Sequence, residues 1–95
     1  MHVRKETSMK LMELFKIAYD FLKNENFDGL YLAYDIGDRI VCFGGNPNEA
    51  FYGCRSVSVN KKNGECKWFI ENNDENEQLL DNADEVEISK EYRYS

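Results

Sequence analysis

Leu11, Leu14, Phe15, Ala18, Phe21 and Leu22 recur at helical spacing and line up as one apolar stripe. Lys10, Glu13, Asp20 and Lys23 fall largely off it, while Met12, Ile17 and Tyr19 widen it. A helix with so broad an apolar side needs a wide surface to lie across, and a sheet is the surface expected. Thr7 and Ser8 offer N-cap hydroxyls ahead of the run, and Asn24 to Asp28 has the turn chemistry that ends it.

The sheet is readable downstream. Leu30 to Tyr34 is short, aromatic and apolar, and Gly37-Asp38 separates it from Arg39 to Phe43, the pattern of a hairpin. Gly44-Gly45-Asn46-Pro47-Asn48 breaks the chain into a loop. Extended structure is expected again over Phe51 to Val59, with Val57 and Val59 on one side and Ser56 and Ser58 on the other. Lys61-Lys62-Asn63-Gly64 is the clearest turn, since Asn-Gly supports the positive φ angles of tight hairpins. Glu65 to Ile70 returns. Its alternation places Cys66, Trp68 and Ile70 toward the core and Glu65 and Lys67 away from it.

Glu71 to Asn76 reads as a polar loop and Gln78 to Asp81 as one helical turn. Val86 and Ile88 alternate with acids as a last short strand, expected at an edge. The expected architecture is α+β: an N-terminal helix packed on a four- to five-stranded, mainly antiparallel sheet, a two-layer sandwich. One domain spans 1–95, with 1–6 and 91–95 as its candidate mobile ends.

Length and charge then narrow the function. A single domain of 95 residues buries roughly 60–65% of the surface its unfolded chain exposes, enough for a core without staples. Eighteen acids against 12 bases leave a net charge of -6, the opposite of the basic excess that grips nucleic-acid phosphates. No stretch approaches the 18 or so apolar residues of a membrane span. Residues 1–8 lack an apolar h-region, so no secretory signal is expected and the cytoplasm is the expected location. An odd cysteine count, Cys42, Cys54 and Cys66, fits reduced thiols in that compartment.

Several chemistries fail on spacing. The cysteines contain no Cys-x-x-Cys pair, and the only histidine is His2, so no zinc site is expected. Asp74 to Glu85 superficially matches a calcium loop, but Leu79 stands where the sharp turn needs glycine. Gly44-Gly45 lacks the spacing of a phosphate loop. A nucleophile needs a positioned base, and His2 is a poor one. A pair of carboxylates suits glycoside hydrolysis, but so small a sheet leaves little room for a sugar cleft. The chain is therefore expected to be no enzyme and to hold no cofactor and no metal.

The charge is divided unevenly. Residues 1–67 hold ten bases and nine acids, whereas residues 68–95 hold two bases and nine acids. Glu71, Asp74, Glu75, Glu77, Asp81, Asp84, Glu85 and Glu87 follow one another with no base between. Such a run is a solvated surface, a face that steers a basic partner, or a cation site. Tyr31, Tyr34, Tyr52 and Trp68 are either core or interface anchors. An uncovered sheet face would also let the chain self-associate as a structural or regulatory module.

Val57-Ser58-Val59-Asn60-Lys61-Lys62-Asn63-Gly64-Glu65, preceded by Phe51-Tyr52-Gly53 and followed by Leu79 to Ala83 and a short closing strand, resembles immunity proteins of bacterial polymorphic-toxin systems. The resemblance covers the order of elements over residues 28–90. It implies a cytosolic protein that blocks a cognate toxin by occlusion, with an acidic segment seated in the toxin's basic cleft. The partner it implies is a basic protein, a toxin domain, with neither nucleic acid nor membrane, and the chain itself a monomer or homodimer. The contacting residues would be Asp74, Glu75, Glu77, Asp81 and Asp84, with Tyr52 or Trp68 as aromatic anchors.

Overall fold

A computed structural model describes residues 9–50 and 53–94. Helix α1 (Leu11–Asn24) is followed by strands β1 (Leu30–Asp35), β2 (Arg39–Gly44), β3 (Ser56–Asn60) and β4 (Cys66–Trp68). Helix α2 (Asp74–Asp81), strand β5 (Asp84–Glu85) and a 3-10 turn (Lys90–Tyr92) complete the chain. The sheet has the order β4-β3-β2-β1-β5, and each neighbouring pair is antiparallel. This is the α+β architecture expected from the stripe and the hairpins.

The stripe of α1 lies on one face of the sheet. Leu14, Phe15, Ala18 and Leu22 are buried against Leu30, Ala33, Ile40, Cys42, Val57 and Val59. Leu11, at the start of the helix, stays 42% exposed. The expected caps Thr7 and Ser8 lie outside the described residues. Lys10 takes the cap position, and its N–H donates to Glu13 Oε1 at 2.9 Å, one of the orphan donors of the helix start.

The other face is also occupied. Val41, Phe43 and Phe69 are buried there, with Tyr31, Leu32, Tyr34, Ile36 and Leu80 packed around them. A register shift between Leu30 and Leu32 inserts an extra residue into β1. Tyr31 and Leu32 therefore both pack on this face, while Ala33 returns to the helix side. Leu80 brings α2 across part of the surface.

Three local expectations change. β3 begins at Ser56, so Gly53 to Arg55 is loop, and Phe51 and Tyr52 lie outside the described residues. Cys66 and Trp68 keep the predicted side of the sheet but not the predicted depth. Cys66 is half-buried, Trp68 is 37% exposed and Ile70 50% exposed, because β4 is an edge strand that α1 only partly covers. α2 starts at Asp74, inside the segment expected to be loop, because Asn73 caps it by accepting from Asn76 N–H at 3.1 Å.

The β3–β4 connection is the turn expected over Lys61 to Gly64. Asn60 N–H bonds Glu65 O at 2.9 Å, and Asn60 Oδ1 accepts from Lys62 N–H at 2.8 Å, closing a four-residue loop. Only Gly64 has positive φ, +76°, and a Cβ there would sit 2.9 Å from Ile17 Cδ1 and from Met9 Sδ. Gly64→Ala is expected to cost about 1–3 kcal/mol, read as a lower urea midpoint with unchanged slope. A midpoint equal to that of the parent would contradict this geometry.

The C-terminal segment 91–94 bonds back to the sheet and meets α1. Tyr94 N–H bonds Leu30 O at 2.8 Å, and the Tyr92 ring meets Tyr19 at 5.4 Å. β5 and this segment together follow the outer edge of β1.

Candidate functional site

Helix α2 carries most of the candidate residues, and its orientation follows from two side chains. Leu80 packs against the far-face cluster, and Asn76 Nδ2 donates to Ile70 O at 2.8 Å. Positions 76 and 80 therefore face the sheet. Asp74, Glu77 and Asp81, three and four residues apart, form a stripe along one flank of the helix, and all three are exposed. Among the described residues none of them forms an ion pair.

Glu75 lies on the other flank. With Gln78, Leu79, Asn82 and Asp84 it borders a groove of about 470 Å³ whose other wall is Asp35, Ile36 and Gly37. Asp84 stands on β5, directly opposite Asp35 of β1. The fold thus gathers the five predicted acids onto one region, as a stripe and a neighbouring groove.

The aromatic candidates do not join them. Trp68 lies on the α1 side of the sheet, its ring edge-on to Phe21 at 5.2 Å. α2 lies across the opposite face. Tyr52 lies outside the described residues.

The helix dipole separates the acids by role. Asp74, Glu75 and Glu77 occupy the first turn, where negative charge offsets the positive helix end. Asp81 occupies the last residue, and the last turn holds no base. There a carboxylate opposes the dipole, so α2 stability does not explain it.

Asp35 is a groove residue the sequence did not flag. Lys61 Nζ contacts both its carboxylate oxygens at 2.8 Å, and Gly37 N–H donates to Oδ1 at 2.9 Å. Lys61 is 26 residues away, which leaves no local signal for the pair. Partial burial pushes the Asp35 carboxyl up, but the Lys61 hydrogen bond, the Gly37 N–H and the Lys61 charge outweigh it and hold the carboxyl below its ordinary value. A carboxyl lowered in this way stabilises the fold above its ordinary value, and the contribution is lost as pH falls through the lowered one. Lys61→Met is expected to flatten the acid side of the stability–pH curve, by under about 1 kcal/mol for so accessible a pair. Urea midpoints from neutral pH into the acid range check this, and an unchanged acid slope would count against the pairing.

The thiols are not poised for attack. Burial pushes Cys42 far above its ordinary value, with Cys66 adding to it, and burial pushes Cys66 up to about 11. Cys54 Sγ is turned onto the carbonyls of Ser56 and Phe69, at 3.3 and 3.2 Å. The carboxylates of α2 radiate from a helix rather than converge as a loop would make them. Among the described residues no three metal-ligating side chains form a group that could hold an ion. Nor is any described helix long and apolar enough to cross a membrane. No known protein family, curated protein or solved structure matches the chain.

Proposed function

We propose that this chain is a non-enzymatic binding protein that docks a basic cognate protein on the Asp74–Glu77–Asp81 stripe and the adjoining Glu75–Asp84 groove. The observation that carries this reading is Asp81, an exposed acid at the helix end where negative charge is unfavourable. A basic partner that neutralises this charge accounts for a carboxylate at such a place. Taken with the resemblance of its hairpin, the chain acts as an immunity protein in the bacterial cytoplasm. It blocks a toxin by filling a basic cleft with carboxylates instead of phosphates.

Charge pairs desolvated at such an interface reach about 1.5–7 kcal/mol of coupling in favourable cases. The test uses the polypeptide encoded beside this chain's gene, purified as an inactive variant, with binding followed at low and high salt. Tight binding that weakens as salt rises supports the reading, and no binding at low salt overturns it. Self-association through an open sheet face loses ground as an alternative, because Phe69 and α2 occupy that face.

A further inference from the structure

The two edges of the sheet are finished differently. On the β1 side, β5 pairs with Tyr34 and Asp35, Val86 N–H bonds Ala33 O at 2.9 Å, and Tyr94 N–H bonds Leu30 O at 2.8 Å. On the other side, no described residue pairs with the outward side of β4. The direction of its backbone groups follows from its ends. Asn60 N–H bonds Glu65 O, and Phe69 N–H bonds Ser56 O, both at 2.9 Å. Residues 65, 67 and 69 therefore turn their backbone groups toward β3, and Cys66 and Trp68 turn theirs outward. The Phe69 bond carries the ladder one residue past β4 and brings Ile70 to its end, with its N–H facing outward and its carbonyl already accepting from Asn76 Nδ2 at 2.8 Å, so Ile70 enters the pairing as a donor.

We propose that this edge, Cys66 to Ile70, pairs antiparallel with the same edge of a second copy of the chain, in the register centred on Trp68. That register is self-complementary. Trp68 meets its counterpart, Cys66 meets Ile70, and Lys67 meets Phe69. Trp68 at 37% exposure and Ile70 at 50% are two of the four large apolar residues left open among the described residues, and pairing covers both. The neighbouring registers are worse. Centring on Lys67 sets two lysines opposite each other. Centring on Phe69 runs Glu71 into the bend where Asn73 N–H bonds Glu71 O at 2.8 Å. The Trp68 register uses the whole extended segment and opposes no like charges within it.

The dimer is independent of the toxin-binding reading, and salt distinguishes the two. Each copy carries a net charge of -6, so salt strengthens pairing of copies, whereas it weakens docking of a basic protein. The experiment is sedimentation equilibrium of the full chain over a range of concentrations, with Ile70→Pro as the interface variant. Its missing N–H points outward, so the parent fold tolerates the change, which circular dichroism verifies. A monomer–dimer equilibrium is expected, weakened about tenfold or more in Ile70→Pro by the loss of both symmetry-related donors.

A second variant fixes the register. Trp68→Cys, in a Cys54→Ser and Cys66→Ala background, brings two thiols together across the axis. Residues so paired lie roughly 5.5 Å apart at Cα, within disulfide reach. Oxidation is expected to give a covalent dimer from this variant and none from Glu65→Cys in the same background. A chain that sediments as a monomer throughout, or a dimer indifferent to Ile70→Pro, or one that fails to cross-link at position 68, overturns the proposal.

Discussion

Phe69→Ala is expected to lower the unfolding free energy by about 3–5 kcal/mol, the largest effect of any single substitution considered. Phe69 is 2% exposed and shares its cluster with Val41 and Phe43. The Arg39 guanidinium lies 5.9 Å above its ring, and its carbonyl accepts from Ser56 Oγ at 2.8 Å. Truncation leaves a cavity between sheet and α2 and removes the surface on which Arg39 rests. A chain of 95 residues has roughly 5–14 kcal/mol of stability in all, so this loss leaves the variant partly unfolded or nearly so. Trp68→Ala is expected to cost less, because its indole is already partly in water. Urea unfolding of both variants decides the matter. A greater loss from Trp68→Ala would mean that the far face is not a core.

That contrast locates what the sequence disclosed and what it hid. Alternation along Glu65 to Ile70 assigned the correct side of the sheet to Cys66 and Trp68. It could not give depth, because depth depends on how far α1 reaches over an edge strand. Phe69 shares the parity of Glu65 and Lys67, which marks a solvent-facing side in a two-layer fold. It is buried only because the chain crosses that side from β4 to β5, and no local pattern encodes the crossing. The stripe of α1 and the β1–β2 hairpin were legible because each is a short-range periodicity. The acids of α2 were legible as composition, but the helix phase that sorts Asp74, Glu77 and Asp81 outward rests on two contacts, Leu80 with the far face and Asn76 with Ile70 O.

Neutralising that outward stripe, with Asp74→Asn, Glu77→Gln and Asp81→Asn together, is expected to slow association with the basic partner by about ten- to a hundredfold at low salt. The difference from the parent should shrink at high salt, where screening has already removed the long-range attraction. Stopped-flow association at several ionic strengths checks this, and an unchanged rate with an unchanged salt slope would sink the acidic-face reading. Taken singly, the acids separate stability from binding. Asp74→Asn removes charge that favours the first turn, so it lowers both stability and association rate. Asp81→Asn removes charge that opposes the dipole, so it slows association while raising stability by about 0.3–1 kcal/mol. A solvated loop predicts no such opposition of signs. A docking surface does, because on that reading the carboxylate that weakens the free helix meets a partner the free protein lacks.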